Sequence, residues 1–130
     1  MKIAIYYNLA YGGAKRAVQA HVRGLRKLGH IVDVYTHDKQ KDMFSPGSAA
    51  NNEYIYEYKP KEIKMPIISR IILDLQIFFK LKDLHKKIAD DIDTRGYDVV
   101  LVHTDTYTQS PFILRFLKTK NVYYCLEPLR

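Results

Sequence analysis

The stretch KIAIYYNLAYGGAKRAVQAHVRGLRKLGHIVDVYT, Lys2 to Thr36, decides the fold. Lys2 to Tyr7 is β-branched and aromatic, and reads as a short buried strand. Asn8 to Gly13 carries turn chemistry, closed by two consecutive glycines. From Ala14 the period lengthens. Ala14, Val18, Val22 and Leu25 form one apolar stripe, which Leu28 extends, while Lys15, Arg16, Gln19, Arg23, Arg26 and Lys27 fill much of the remainder. That is a basic amphipathic helix. Gly29 stands where a helix end favours a left-handed residue, and Ile31 to Thr36 then alternates as a second strand. Strand, glycine turn, helix and strand in this order are the βαβ unit of a parallel sheet, with a right-handed crossover.

Outward from this unit the pattern continues. Lys39 to Asn52 is polar, punctuated by Ser45, Pro46 and Gly47, and reads as a mobile loop. Glu53 to Tyr58 alternates strictly as a third strand, suited to a sheet edge, and Pro60 and Pro66 bracket a linker. Ile67 to Asp93 is helical but carries two stripes. Ile68, Ile72, Leu75 and Phe79 form the first; Ile77, Leu81, Leu84, Ile88 and Ile92 form the second, displaced by about half a turn at the ideal period. Either the helix kinks near Phe78, or its first half is covered on a second side. After Gly96, Tyr97 to His103 is a buried strand, with its core expected at 98–103. Phe112 to Lys118 should be a short helix capped by Ser110 and opened by Pro111, and Asn121 to Cys125 a fifth strand. The expected fold is α/β: a Rossmann-like, doubly wound, mainly parallel sheet, ordered 3-2-1-4-5, with helices on both faces.

At 130 residues the chain suits one domain, and its 47% hydrophobic and 27% charged residues are those of a globular protein. No apolar run approaches the ~20 residues that span a bilayer, and nothing resembles a secretory signal. The lone Cys125 reads as a small buried hydrophobe in a reducing, cytoplasmic setting. Twenty-one Lys and Arg against fourteen Asp and Glu give a net charge of +7, which favours polyanionic partners. A nucleic-acid partner is not expected, because no recognised motif or basic stripe interleaved with aromatics accompanies the charge.

Ligands of open parallel sheets bind beyond the carboxyl ends of the strands. The loops there are Asn8 to Gly13, His103 to Ser110 and Glu127 to Arg130. The first suits an anion: glycines allow close backbone approach, and the following helix start offers unpaired N–H groups. Lys15 and Arg16 in the first turn oppose the helix dipole, so they become candidate anion contacts. Neither GxGxxG nor GxxxxGK[ST] is present, which removes the usual support for NAD or ATP. His103 is expected to project into the same crevice, where an imidazole could bind a sugar hydroxyl or carry a proton. The spacing of His21, His30, His37 and His85 suggests no metal site.

Tyr7 to Thr36 resembles the opening of retaining glycosyltransferases of the GT-B fold, family four. The matching residues are Gly12, Gly13, Ala14, Arg16, Gly29, His30, Val32, Val34, Tyr35 and Thr36, with Lys15 in place of the usual glutamate. YDVVLVH, Tyr97 to His103, is similar to that family's D-V-V-H-x-H strand, with Leu101 replacing its first histidine. VYYCLEPLR, Val122 to Arg130, is similar to its Y-C-H-E-P-P-R strand end, with Leu126 and Leu129 as departures.

The resemblance implies that residues 1–130 are the N-terminal, acceptor-side domain of a two-domain enzyme whose C-terminal, donor-binding domain is absent here. Gly12 and Gly13 would face the donor diphosphate, His103 would contact the donor sugar as the catalytic residue, and Glu127 and Arg130 would be cleft residues. The co-substrate would be a nucleotide sugar, with no metal or other cofactor expected. A glycan or lipid-linked acceptor would fit the charge and the apolar first half of the long helix, with the protein peripheral on an anionic cytoplasmic membrane face. The chain alone should be inactive. The alternative is a non-catalytic binding or assembly module that reuses the fold beside a separate catalytic chain.

Overall fold

The computed structural model describes residues 1–10, 12–37, 39, 42–61 and 66–125. Five strands, β1 (Lys2–Asn8), β2 (Ile31–Thr36), β3 (Asn52–Ile55), β4 (Val99–Asp105) and β5 (Asn121–Tyr124), form one parallel sheet in the order β3-β2-β1-β4-β5. This is the α/β Rossmann-like architecture that the opening βαβ pattern predicts. The period of two along β1 divides the core. Ile3, Ile5 and Tyr7 pack with Val32, Val34 and with Val18 and Val22 of α1 (Gly13–Lys27). Ala4 and Tyr6 point the other way, onto Ile88, Ala89 and Ile92 of α3 (Lys82–Thr94), with Val100 and Val102. Helices therefore cover both faces, and the central strands β1, β2 and β4 carry apolar residues at consecutive positions.

The long helical stretch resolves its two stripes at one defect. α2 (Pro66–Gln76) and α3 are joined by a π-helical turn at Ile77–Leu81. A π turn accommodates one extra residue, which rotates everything beyond it by roughly 100° about the axis. The second stripe is thereby turned onto the sheet: Leu81, Ile88 and Ile92 are fully buried. The first stripe is not covered on a second side. No residue of α2 is buried, and Ile67, Ile68, Ile71, Leu75, Phe78 and Phe79 are 47–80% exposed.

Three local expectations differ. β3 is shorter than Glu53–Tyr58 because it pairs only with β2, over Asn52 to Ile55, at the sheet edge. The helix expected at Phe112–Lys118 is a single 3-10 turn, Phe112–Arg115. Pro111, extended at φ −66° and ψ 138°, takes the capping position, so Ser110 does not cap it. Cys125 lies just past the edge strand β5 and is exposed, not buried.

Candidate functional site

A cleft of about 280 Å³ opens at the carboxyl edge of the sheet. Its walls are Asn8 at the end of β1 with Leu9 and Ala10 beyond it, His37 and Lys39 after β2, Glu57, Tyr58 and Lys59 after β3, and Thr106 and Tyr107 after β4. The parallel sheet puts all four loops at one end, and so gathers residues about a hundred positions apart. Thr106 ties the β4 loop to β1: its N–H and hydroxyl both donate to the Asn8 carbonyl, at 2.8 and 2.7 Å. The rings of Tyr58 and Tyr107 meet edge to face, 5.3 Å apart, and Lys39 pairs with Glu57.

Beneath the cleft lies a buried polar cluster that joins four elements. Tyr6 Oη, on β1, donates to Asp105 Oδ2 at 2.8 Å, and lies 3.0 Å from His37 Nε2 and 2.7 Å from His85 Nε2. The two Nε2 atoms are 3.2 Å apart, and His85 Nε2 is 3.5 Å from Asp105 Oδ2. A one-residue register shift between Tyr6 and Asn8 breaks the alternation at the end of β4, and Asp105 meets a ring of the α3 side there. His37 Nδ1 is 2.6 Å from the Tyr56 carbonyl, which can only accept, so the neutral ring carries its proton on Nδ1 and turns a lone pair inward. His85 Nε2 then supplies the proton shared among these atoms, while its Nδ1 has no partner.

Each charge state has a cause. Burial alone would raise Asp105, but bonds from His85, Tyr6 and Asn8 outweigh it and hold the carboxyl below its ordinary value. Burial, reinforced by Asp105, pushes Tyr6 well above the usual phenol value, so it stays a donor. Burial pushes His37 down, against the bond to Tyr56. The result is one carboxylate held by hydrogen bonds from His85, Tyr6 and Asn8. The ligand-type atoms of His37, His85 and Asp105 lie within 4.8 Å of one another, so this is where the described residues could hold a metal ion.

The residues singled out by sequence fall elsewhere, in part. Gly12 caps the start of α1 and Gly13 is its first residue; neither lines the cleft. Positive φ belongs to Gly12, at 152°, and not to Gly13. Lys15 is buried and bonded to Asp42 at 2.8 Å, so its charge is directed at this carboxylate. Arg16 stacks over Phe44, 4.0 Å from the ring centroid. Both basic residues thus hold the 42–45 segment onto α1, which accounts for cations at a helix start. Glu127 and Arg130 lie outside the described residues.

His103 does not project into the cleft. It is fully buried on the α1 side of β4, with its ring 5.4 Å from those of His21 and Tyr124. Neither ring nitrogen has a hydrogen-bond partner, and burial, with His21 adding to it, pushes its pKa down to about 4. The reason is strand length: β4 runs two residues beyond the expected end, so His103 sits within the sheet.

Sequence spacing could not find the Tyr6, His37, His85 and Asp105 cluster, since its members are 31 to 99 positions from Tyr6. The only signal was position: His37 follows β2 and Asp105 ends β4, both at the carboxyl edge.

No family model matches the chain, and no curated protein does. Among solved structures it is similar to the C-terminal domain of a hydrogenase from Pyrococcus furiosus: 12% identity, TM-score 0.60, covering 94% of this chain and 89% of that one. It is also similar to a UGT transferase from Siraitia grosvenorii in complex with UDP, at 12% identity and TM-score 0.52. That match covers 95% of this chain and 27% of the transferase. At such identity the likeness is one of fold: a Rossmann-like sheet of the kind found in a glycosyltransferase.

Proposed function

We propose that this chain is the acceptor-side domain of a nucleotide-sugar-dependent glycosyltransferase, with a glycan or lipid-linked acceptor entering the carboxyl-edge cleft. The observation that carries the reading is the cleft itself: it lies at the carboxyl edge of the sheet, is lined by Asn8, Leu9 and Ala10 before α1, and is walled by tyrosines and lysines. Tyr58 and Tyr107 offer aromatic faces on which the apolar side of a sugar ring packs. Lys59 suits a phosphate on the acceptor. The volume lies just below the ~300–1,000 Å³ typical of ligand sites, enough for one acceptor terminus. The motif similarity of Tyr7 to Thr36 supports the retaining, family-four variant. In this reading the donor diphosphate approaches the start of α1 from a second domain. His103, buried under α1, acts through packing and is not assigned a contact with the donor.

The test has two parts. Calorimetry of residues 1–130 with UDP and GDP should give no saturable binding, because the donor site belongs to the other domain; tight binding here would sink the division of labour. In the full natural polypeptide, assayed with labelled nucleotide sugars, Tyr58→Ala and Lys59→Ala should raise the acceptor KM and leave the donor KM in place. Absence of any transfer by a product carrying a donor domain would favour the non-catalytic module.

A further inference from the structure

The cluster beneath the cleft has the donor set of a metal centre, and we propose that it binds one zinc-class divalent ion through His37 Nε2, His85 Nε2, Asp105 Oδ2 and Tyr6 Oη. The inference does not rest on the glycosyl-transfer reading, and would hold for any function of the fold.

Geometry carries it. A tetrahedral zinc site with bonds of ~2.0–2.1 Å needs its ligand atoms about 3.3–3.4 Å from one another. His37 Nε2 and His85 Nε2 are 3.2 Å apart, and His85 Nε2 and Asp105 Oδ2 3.5 Å. Tyr6 Oη stands over the other three at 2.7 to 3.0 Å. It needs to retreat only about half an ångström to become the fourth corner, releasing its proton to solvent as the ion binds, while the His85 proton moves from Nε2 to the unpartnered Nδ1. Four donor atoms from β1, the end of β2, α3 and the end of β4 thus surround one point.

The outer partners are those of a metal site as well. The Nδ1–H of His37 donates to the Tyr56 carbonyl, which aims the Nε2 lone pair inward. Asp105 Oδ1 accepts from the backbone N–H groups of Tyr107 and Thr108, at 2.8 and 3.3 Å. This fixes the carboxylate so that Oδ2 faces the cluster, and Asn8 Nδ2 steadies Oδ2 at 3.0 Å. Only His85 lacks such support, its Nδ1 having no partner.

Two imidazoles with two oxygens select borderline ions such as zinc, cobalt or copper. Calcium and magnesium, which want six or more oxygens, fit poorly. With four protein donors the site is closed, so the ion acts as a clamp and not as a reagent. It would fasten α3 to the strand ends just beyond the π turn and stiffen the cleft wall that His37 forms.

Chelator-treated protein dialysed against zinc should take up one ion per chain, and its melting temperature should rise. Cobalt should give the intense visible bands of tetrahedral coordination. His37→Gln, at the cleft wall, and Asp105→Asn should each weaken zinc binding about 100-fold or more, since loss of an outer partner alone costs ~10–100-fold. His30→Gln is the control, because His30 Nδ1 lies 3.3 Å from the N-terminal amine, where adventitious binding of the ion would fall. It should change nothing. Circular dichroism establishes that each variant is folded, and the cobalt spectrum of the unaltered chain decides even where a variant is not. Absence of stoichiometric uptake by the folded chain overturns the proposal. So does a weak octahedral cobalt spectrum, or uptake that survives both ligand substitutions and disappears with His30→Gln.

Discussion

Gly12 is the residue at which the turn into α1 depends on lacking a side chain, because φ 152° with ψ −165° is a region that other residues rarely enter. A Cβ there would meet no neighbour within 4 Å, so the cost is backbone strain alone. Gly12→Ala should therefore destabilise the protein by ~1–3 kcal/mol in urea unfolding. Gly13, already helical and equally open, should tolerate alanine within about 0.5 kcal/mol. Equal losses at both positions would mean that the turn needs flexibility, not one special angle. His103 makes the opposite case. Two buried ring nitrogens without partners are a standing cost of ~1–3 kcal/mol. His103→Leu should accordingly raise the unfolding free energy at neutral pH by about 1 kcal/mol. A large loss instead would show that the imidazole is satisfied in solution. The glycine pair was legible in the sequence as a turn, but which of the two carries the positive φ was not, since that is set by where the first helical bond closes. The depth of His103 was equally hidden, because periodicity fixes the face of a strand residue and not where the strand stops.

At the scale of elements, the double stripe between Ile67 and Asp93 was readable as a helix that changes face near Phe78, but not as a π turn. A phase shift in side-chain pattern says that the axis is re-indexed; it cannot say whether a bend or an extra residue does it. The end of α3 was also opaque. Asp93 there receives the N–H groups of Lys118 and Thr119, and the Thr119 hydroxyl at 2.6 Å. These bonds link α3 to the start of β5 across 25 residues. Burial opposes ionisation of Asp93, but the Thr119 hydroxyl and the two N–H groups outweigh it and hold the carboxyl below its ordinary value. Asp93→Ala should cost about 2 kcal/mol, the usual worth of hydrogen bonds to a charged group. A carboxyl whose pKa is lowered by folding contributes above its unfolded value of 3.8 and loses that contribution as pH falls through the lower folded value. The deficit of the variant in urea unfolding should hence be full at pH 7 and shrink below about pH 3.8. A deficit that stays constant through that range would assign the effect to packing.

For the molecule as a whole, the strand order followed from the βαβ opening and chain order. The place of the cleft followed from the rule that parallel sheets bind at their carboxyl ends. The His37, His85, Asp105 and Tyr6 cluster did not follow, because it exists only once four elements meet. The distribution of charge and apolar surface is also a property of the assembled whole. A net charge of +7 accompanies an apolar flank, Ile67, Ile68, Ile71, Leu75, Phe78 and Phe79, that the sheet leaves uncovered. Arg70 and Lys80 are exposed on the same helical stretch, and the Lys61 N–H is tied to it through Gln76 at 2.9 Å. Lys82 lies over the Phe78 ring at 5.5 Å. Lys64 lies outside the described residues. Among the described residues no helix is long and apolar enough to cross a membrane. An apolar helix flanked by cations meets an anionic bilayer in two ways: its side chains enter the headgroup boundary, and each nearby cation adds ~1 kcal/mol at the surface. We expect co-sedimentation with vesicles containing phosphatidylserine and none with phosphatidylcholine alone. Binding should weaken as salt shortens the screening length from ~10 Å at 0.1 M toward ~3 Å at 1 M. Ile71→Asp and Phe79→Asp should each abolish sedimentation while leaving the fold intact, since both side chains already face solvent. Equal binding to neutral and anionic vesicles, or binding that survives both substitutions, would assign the apolar flank to a protein surface instead.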